Sequence, residues 1–192
     1  MGASSEREGA LFGNAVEQIV NAVLRPEVTI DEIPAPQRIA PFAHAMSGDV
    51  ITADGTESAT GRFILLHEPA GNDAWDGTFR CVTFARADIE PEMAADPALP
   101  KVGWTWLTDA LHSHDASYHA FSGSVTVVNT EGFGDMADKD ADAQLELRAS
   151  WTPDGPIGVH VAAWSDLLCA VAGLPPLSPG VIPLQPRRAR RG

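Results

Sequence analysis

The stretch His67-Glu-Pro-Ala-Gly-Asn-Asp-Ala-Trp-Asp-Gly-Thr-Phe-Arg80 mixes an imidazole, carboxylates, an amide, an indole and a guanidinium. A carboxylate beside a His supports acid–base work, and an Arg can clamp an anion. His67, Asn72, Asp73, Trp75, Asp76 and Arg80 are therefore the candidate ligand-binding residues. The competing reading is turn construction. Asn and Asp bond their own backbone two residues on, and Gly supplies positive φ. Trp75 would then cover the end of a hairpin. Spacing assigns no nucleophile, base and orienting group, so no residue is named as catalytic.

His112, His114, Asp115 and His119 form a second candidate set, with His112 and Asp115 three apart on one helical face. A catalytic zinc signature places two His four apart with a Glu between them, and the chain has none. Polar residues at a helix end explain the set better, so no metal and no cofactor are expected. The segment Asp138 to Glu146 resembles a calcium loop only on its surface. Ala143 stands where such a loop needs Gly, and Ala149 where it needs Glu. The chain also lacks a phosphate loop, a Gly-x-Gly-x-x-Gly turn, a Gly-x-Ser-x-Gly elbow and a Cys-x-x-Cys pair.

These residues must be positioned by a chain of 192 residues with a formal charge of −13. That length suits one domain with tails. Residues 88 to 146 hold twelve acids against Lys101 and Lys139, a net of −10, whereas Arg187, Arg188, Arg190 and Arg191 close the C-terminus. An acidic body repels nucleic acid and anionic lipid at long range, so the acidity reads as a solvated surface. No apolar run reaches the ~20 residues of a membrane span, and Met1 to Glu8 does not read as a signal peptide. Cys81 and Cys169 stand alone in apolar segments, as buried thiols of a reducing compartment do. Cytoplasm is the expected location.

Phe12, Val16, Ile19, Val20 and Val23 recur at helical spacing before Pro26, which predicts a helix over residues 10 to 24. Prolines at 26, 34 and 36 bias residues 24 to 38 toward an extended connector. Residues 41 to 52 read as a strand. Residues 60 to 67 and 78 to 86 read as the two arms of a long-looped hairpin. Apolar residues on both faces of those arms predict strands covered on both sides. Prolines at 91, 97 and 100 break regular structure, and residues 103 to 114 read as a short helix with one Trp in the core and one at the surface. Residues 121 to 128 and 144 to 151 alternate cleanly, as half-exposed antiparallel strands do. Residues 159 to 172 predict a helix with His160, Trp164, Leu167, Leu168 and Val171 on one stripe. The sum is a single α+β domain, an antiparallel sheet of about four to six strands packed against N-terminal and C-terminal helices. Its expected limits are a flexible 1–9, a domain at 10–174 and a Pro-rich, Arg-ended tail at 175–192.

Several segments, among them Leu24-Arg-Pro-Glu-Val28, Ala70-Gly-Asn-Asp-Ala-Trp-Asp-Gly-Thr-Phe-Arg80, Glu90-Pro-Glu-Met-Ala-Ala-Asp-Pro97 and Trp164-Ser-Asp-Leu-Leu-Cys169, resemble an uncharacterised actinobacterial family. It is catalogued as domain of unknown function number three thousand. The resemblance runs from about residue 11 to 184 and implies a cytoplasmic bacterial protein. It implies no activity, cofactor or catalytic residue.

The chain therefore reads first as a non-catalytic binding or adaptor protein with a protein partner. The alternative is a small-ligand binder or enzyme with its site at the 67–80 loop. A second alternative is RNA association through Arg187, Arg188, Arg190 and Arg191. No membrane partner is expected.

Overall fold

A computed structural model describes residues 2–53, 55–136 and 142–177. The Arg187–Arg191 tail, and Asp138 and Asp140 of the acidic loop, lie outside the described residues. Six strands form one antiparallel sheet: β1 (Val28–Ile33), β2 (Phe42–Ile51), β3 (Glu57–Asn72), β4 (Gly77–Ile89), β5 (Ser117–Thr130) and β6 (Asp142–Asp154). Their order is β1-β2-β3-β4-β6-β5. The helices are α1 (Gly2–Val20), α2 (Pro91–Ala94), α3 (Leu99–Ser113) and α4 (Ile157–Val171). The architecture is a single α+β domain. No helix among the described residues is long and apolar enough to cross a membrane.

Alternation along the strands sends Phe63, Leu65, Cys81, Leu145, Leu147 and Trp151 to one face, where all are buried. α4 lies on that face and is apolar nearly all round, as a helix between a sheet and further helices must be. Its buried members include all five residues of the expected stripe. The side chain of Gln18 on α1 caps its start, accepting from the Ile157 N–H at 2.7 Å. Its end is a Schellman turn. Gly173 takes φ 76°, its N–H donates to Ala170 O, and the Leu174 N–H donates to Cys169 O. Within this core Trp151 Nε1 donates to His160 Nδ1 at 3.1 Å. Burial holds the His160 pKa down at about 4, so the ring stays neutral and can accept.

Several features depart from the expectations, among them α2 at Pro91–Ala94 and the start of α3 at Leu99, where prolines 91 and 100 occupy first-turn helix positions instead of breaking regular structure. α1 begins at Gly2 rather than residue 10. Residues 28 to 33, expected within a connector, form edge strand β1. Trp104 and Trp106 are both half-buried, because α3 lies near the sheet edge with Trp104 against Phe121 at 4.6 Å. Most consequentially, the hairpin arms β3 and β4 have helices on one face only, since Ile64, Val82 and Phe84 line an open groove on the other.

Candidate functional site

The hairpin loop builds its own turn. Asn72 Oδ1 accepts the Ala74 N–H at 3.0 Å, and Asn72 O accepts the Trp75 N–H at 2.9 Å. Asp73 O accepts the Asp76 N–H, and Asp76 takes φ 53° ahead of Gly77. His67 and Arg80 leave opposite faces of the sheet, so one cavity cannot hold both. His67 is 1% exposed and turns to the helices, its Nε2 3.1 Å from Glu8 Oε2 and its ring stacked on Phe79 at 4.2 Å. Arg80 turns the other way, and Thr152 joins it to the loop by donating to Trp75 O. Asp73 stays exposed at the tip.

The His-rich set is spread over separate partners. Asp115, with φ 51°, is the left-handed residue that ends α3 as a Schellman turn, its N–H donating to His112 O and that of Ala116 to Leu111 O. His114 Nε2 lies 2.7 Å from Asp166. His119 Nδ1 meets Asp154 Oδ2 at 2.9 Å and its Nε2 meets Asp76 O at 2.8 Å, latching the hairpin loop to β5 and β6. The Asp154 hydrogen bond, then the Asp76 carbonyl, raise the His119 pKa above its ordinary 6.5. The latch therefore contributes fully below that ordinary value and is lost as pH rises through the raised folded value. Asp154→Asn is expected to lower the melting temperature most at mildly acidic pH, with the gap narrowing toward alkaline pH. A gap that does not vary with pH would leave the pair as packing alone.

The groove on the open face is assembled by register. Pairing across β2, β3, β4, β6 and β5 aligns Ser47, Arg62, Phe84, Arg148 and Ser124 in one row. The next row aligns Thr60, Arg86 and Glu146. The row on the other side aligns Ile64, Val82, Ser150 and Ser122. The groove encloses about 650 Å³. Arg148 lies 5.0 Å from the Phe84 ring centroid and bonds Glu146 at 3.1 Å. The guanidiniums of Arg62 and Arg86 have no hydrogen bond or ion pair among the described residues. Asp49, on the same face, is occupied by the Thr60 hydroxyl at 2.6 Å.

Beneath one end lies Arg80, 6% exposed. It donates to Ala120 O at 2.7 Å, Ser150 Oγ at 2.8 Å, Thr152 Oγ1 at 3.2 Å and Ser122 Oγ at 3.4 Å. A bulge between His119 and Ser122, with Ala120 at φ 47°, presents that carbonyl. Every acceptor is neutral. Burial lowers the Arg80 pKa from its ordinary value, yet a guanidinium keeps its charge at physiological pH. Four arginines from three strands thus share one face of a chain whose net charge is −13.

Residues 8–182 match the model of a family described as a protein of unknown function, DUF3000. The chain belongs to that family. The match spans all six strands, so the groove lies within the family's own domain. No curated protein and no solved structure matches the chain.

A second cavity of about 990 Å³ lies between the end of α1 and the start of α4, lined by Ala22, Leu24, Val159 and Ala162 among others. Its charged groups answer one another. Arg25 pairs with Glu27 at 2.9 Å and lies 3.8 Å from Asp166, which also holds His114. That hydrogen-bonded pairing raises the Arg25 pKa and lowers that of Glu27. The groove, with two unanswered guanidiniums, is the better candidate site. Sequence reasoning singled out Arg80 but not Arg62, Arg86 or Arg148.

Proposed function

We propose that this protein is a non-catalytic binding protein whose open sheet face receives a carboxylate-bearing segment of a partner polypeptide. The observation that carries the reading is the pair Arg62 and Arg86, groove-lining guanidiniums that make no ion pair among the described residues of an otherwise acidic chain. Guanidiniums bind carboxylates through paired N–H···O bonds, and Ser122, Ser124 and Ser150 add hydroxyls along the same face. Among the described residues the lining offers hydroxyls, guanidiniums and apolar surface, and the carboxylates on this face, Glu146 and Asp49, are taken by Arg148 and Thr60. This favours binding over catalysis. A peptide is favoured over RNA because Arg148 already covers Phe84, the groove's aromatic ring on which a base would stack.

Cys81 and Cys169 are unpaired and buried, and burial pushes the Cys169 thiol up to about 12. This supports a reducing location, the cytoplasm. The Arg-rich, Lys-poor composition supports an actinobacterial source.

Fluorescence polarisation with a labelled oligoglutamate tests the reading, beside a labelled RNA oligonucleotide and inorganic phosphate. Oligoglutamate should bind, weaken as salt rises, and lose more than tenfold affinity in Arg62→Glu/Arg86→Glu. No binding at low salt, or binding indifferent to that double change, would overturn it. Preference for RNA, or for phosphate alone, would replace the partner class.

A further inference from the structure

The two edges of the sheet are treated differently. β1 is six residues long, carries Asp31 and Glu32, and is flanked by Pro26 and Pro34. Short length, charge and proline are the ordinary means of keeping an edge from pairing. β5 has none of them. It runs fourteen residues from Ser117 to Thr130 without Asp, Glu, Lys, Arg or Pro. Its section from Ser122 to Thr130 pairs with β6 without interruption, leaving the outer edge without a strand among the described residues. That section contains Val125, Thr126, Val127 and Val128, β-branched residues suited to pairing, and Val128 is 44% exposed.

We infer that β5 is a dimerisation edge, and that its occupant is β5 of a second copy of this chain, paired antiparallel about a twofold axis. Three observations favour self-pairing. An antiparallel pairing of one strand with itself is isologous, so a single unprotected edge satisfies its own partner. Two copies of a chain charged −13 repel, and the uncharged β5 edge is where their backbones can approach without opposing like charges. The size is also adequate. Nine residues span about 30 Å, and the sheet with α3 beneath it presents an edge two layers deep at about 10 Å per layer. That gives about 600 Å² per copy and about 1,200 Å² in total, the lower end of specific interfaces. The dimer is therefore expected to form and dissociate in the micromolar range rather than be permanent.

The pairing would continue the sheet to twelve strands. Thr126 would then lie beside its twofold equivalent, with Ser124 and Ser122, which wall the groove on β5, displaced along the strand on either side of the axis. Two arginine grooves would share one continuous face, which allows a partner with two acidic segments to bind both.

Sedimentation equilibrium from micromolar to millimolar protein, with hydrogen exchange on the same samples, tests this. The mass should rise from one chain to two, and amides between Ser122 and Thr130 should gain protection as it does. Thr126→Lys/Val128→Lys should raise the dissociation constant at least tenfold while circular dichroism stays unchanged. Arg62→Glu/Arg86→Glu should dimerise as the wild type does, which separates this inference from the groove. A monomer at millimolar concentration would overturn it. So would a dimer whose β5 amides exchange as fast as in the monomer, even if the lysine variant failed to fold.

Discussion

Trp164→Ala is expected to remove about 3–5 kcal/mol of folding stability, seen as a lower denaturant midpoint at an unchanged slope. The indole is fully buried on α4, 5.8 Å from Phe63 by ring centroids, and sits under a notch in the sheet. Gly48 and Gly61 make that notch and are direct partners across β2 and β3. A Cβ on Gly48 would stand 2.7 Å from Trp164 Cη2. One on Gly61 would stand 2.4 Å from Leu168 Cδ2 and 2.7 Å from the Phe84 carbonyl oxygen. The glycines and the Trp are one packing unit, which makes the energies non-additive. Gly48→Ala should be costly alone and much less so in Trp164→Ala, where its methyl enters vacated space. Gly61→Ala should remain costly in both backgrounds, because a backbone oxygen blocks it. Simple additivity for Gly48 and Trp164 would refute the notch.

That unit shows which parts of the fold the sequence discloses. The stripe His160, Trp164, Leu167, Leu168 and Val171 announces α4 because helical periodicity is local. The alternation in residues 144 to 151 announces β6 for the same reason. β1 escaped because Asp31, Glu32 and flanking prolines make a protected edge look like a connector. The two-sided burial expected for β3 and β4 failed for a related reason. Ile64, Val82 and Phe84 do point away from the helices, but what lies beside them is arginine stems and serines, not a second layer. Apolar pattern reports that a face is shielded, and not by what.

The candidate site was legible only in fragments. Within the hairpin, Arg62, Arg80 and Arg86 each alternate with inward apolar residues, which was a usable sign that they share a face. Bringing Arg148 beside Phe84 needed the β4–β6 pairing, a contact that skips β5 in the chain. Conversely, His67 and Arg80 looked adjacent through the loop. They separate because paired strands send neighbouring residues to opposite faces.

Arg80 makes the strongest link between fold and groove, and Arg80→Met tests it. The substitution removes the shared donor of four acceptors, Ala120 O, Ser122 Oγ, Ser150 Oγ and Thr152 Oγ1. Desolvating the guanidinium offsets part of that bonding, so the expected loss is about 2–3 kcal/mol. Arg80→Lys should recover little, since an ammonium lacks the planar fork that spans acceptors on β5 and β6. The second consequence concerns binding. Because Arg80 donates to Ser122 and Ser150, whose hydroxyls lie 3.5 Å apart and share one hydrogen between them, the other hydroxyl hydrogen is free to point into the groove and meet a carboxylate. Below its melting transition, Arg80→Met should therefore bind oligoglutamate several-fold more weakly, and Ser150→Ala should weaken binding with little change in stability. Lost stability with unchanged affinity would make Arg80 a clamp between β4, β5 and β6 and nothing more. Loss of both, with Ser150→Ala affecting binding alone, would establish that this buried cation orients the groove's donors.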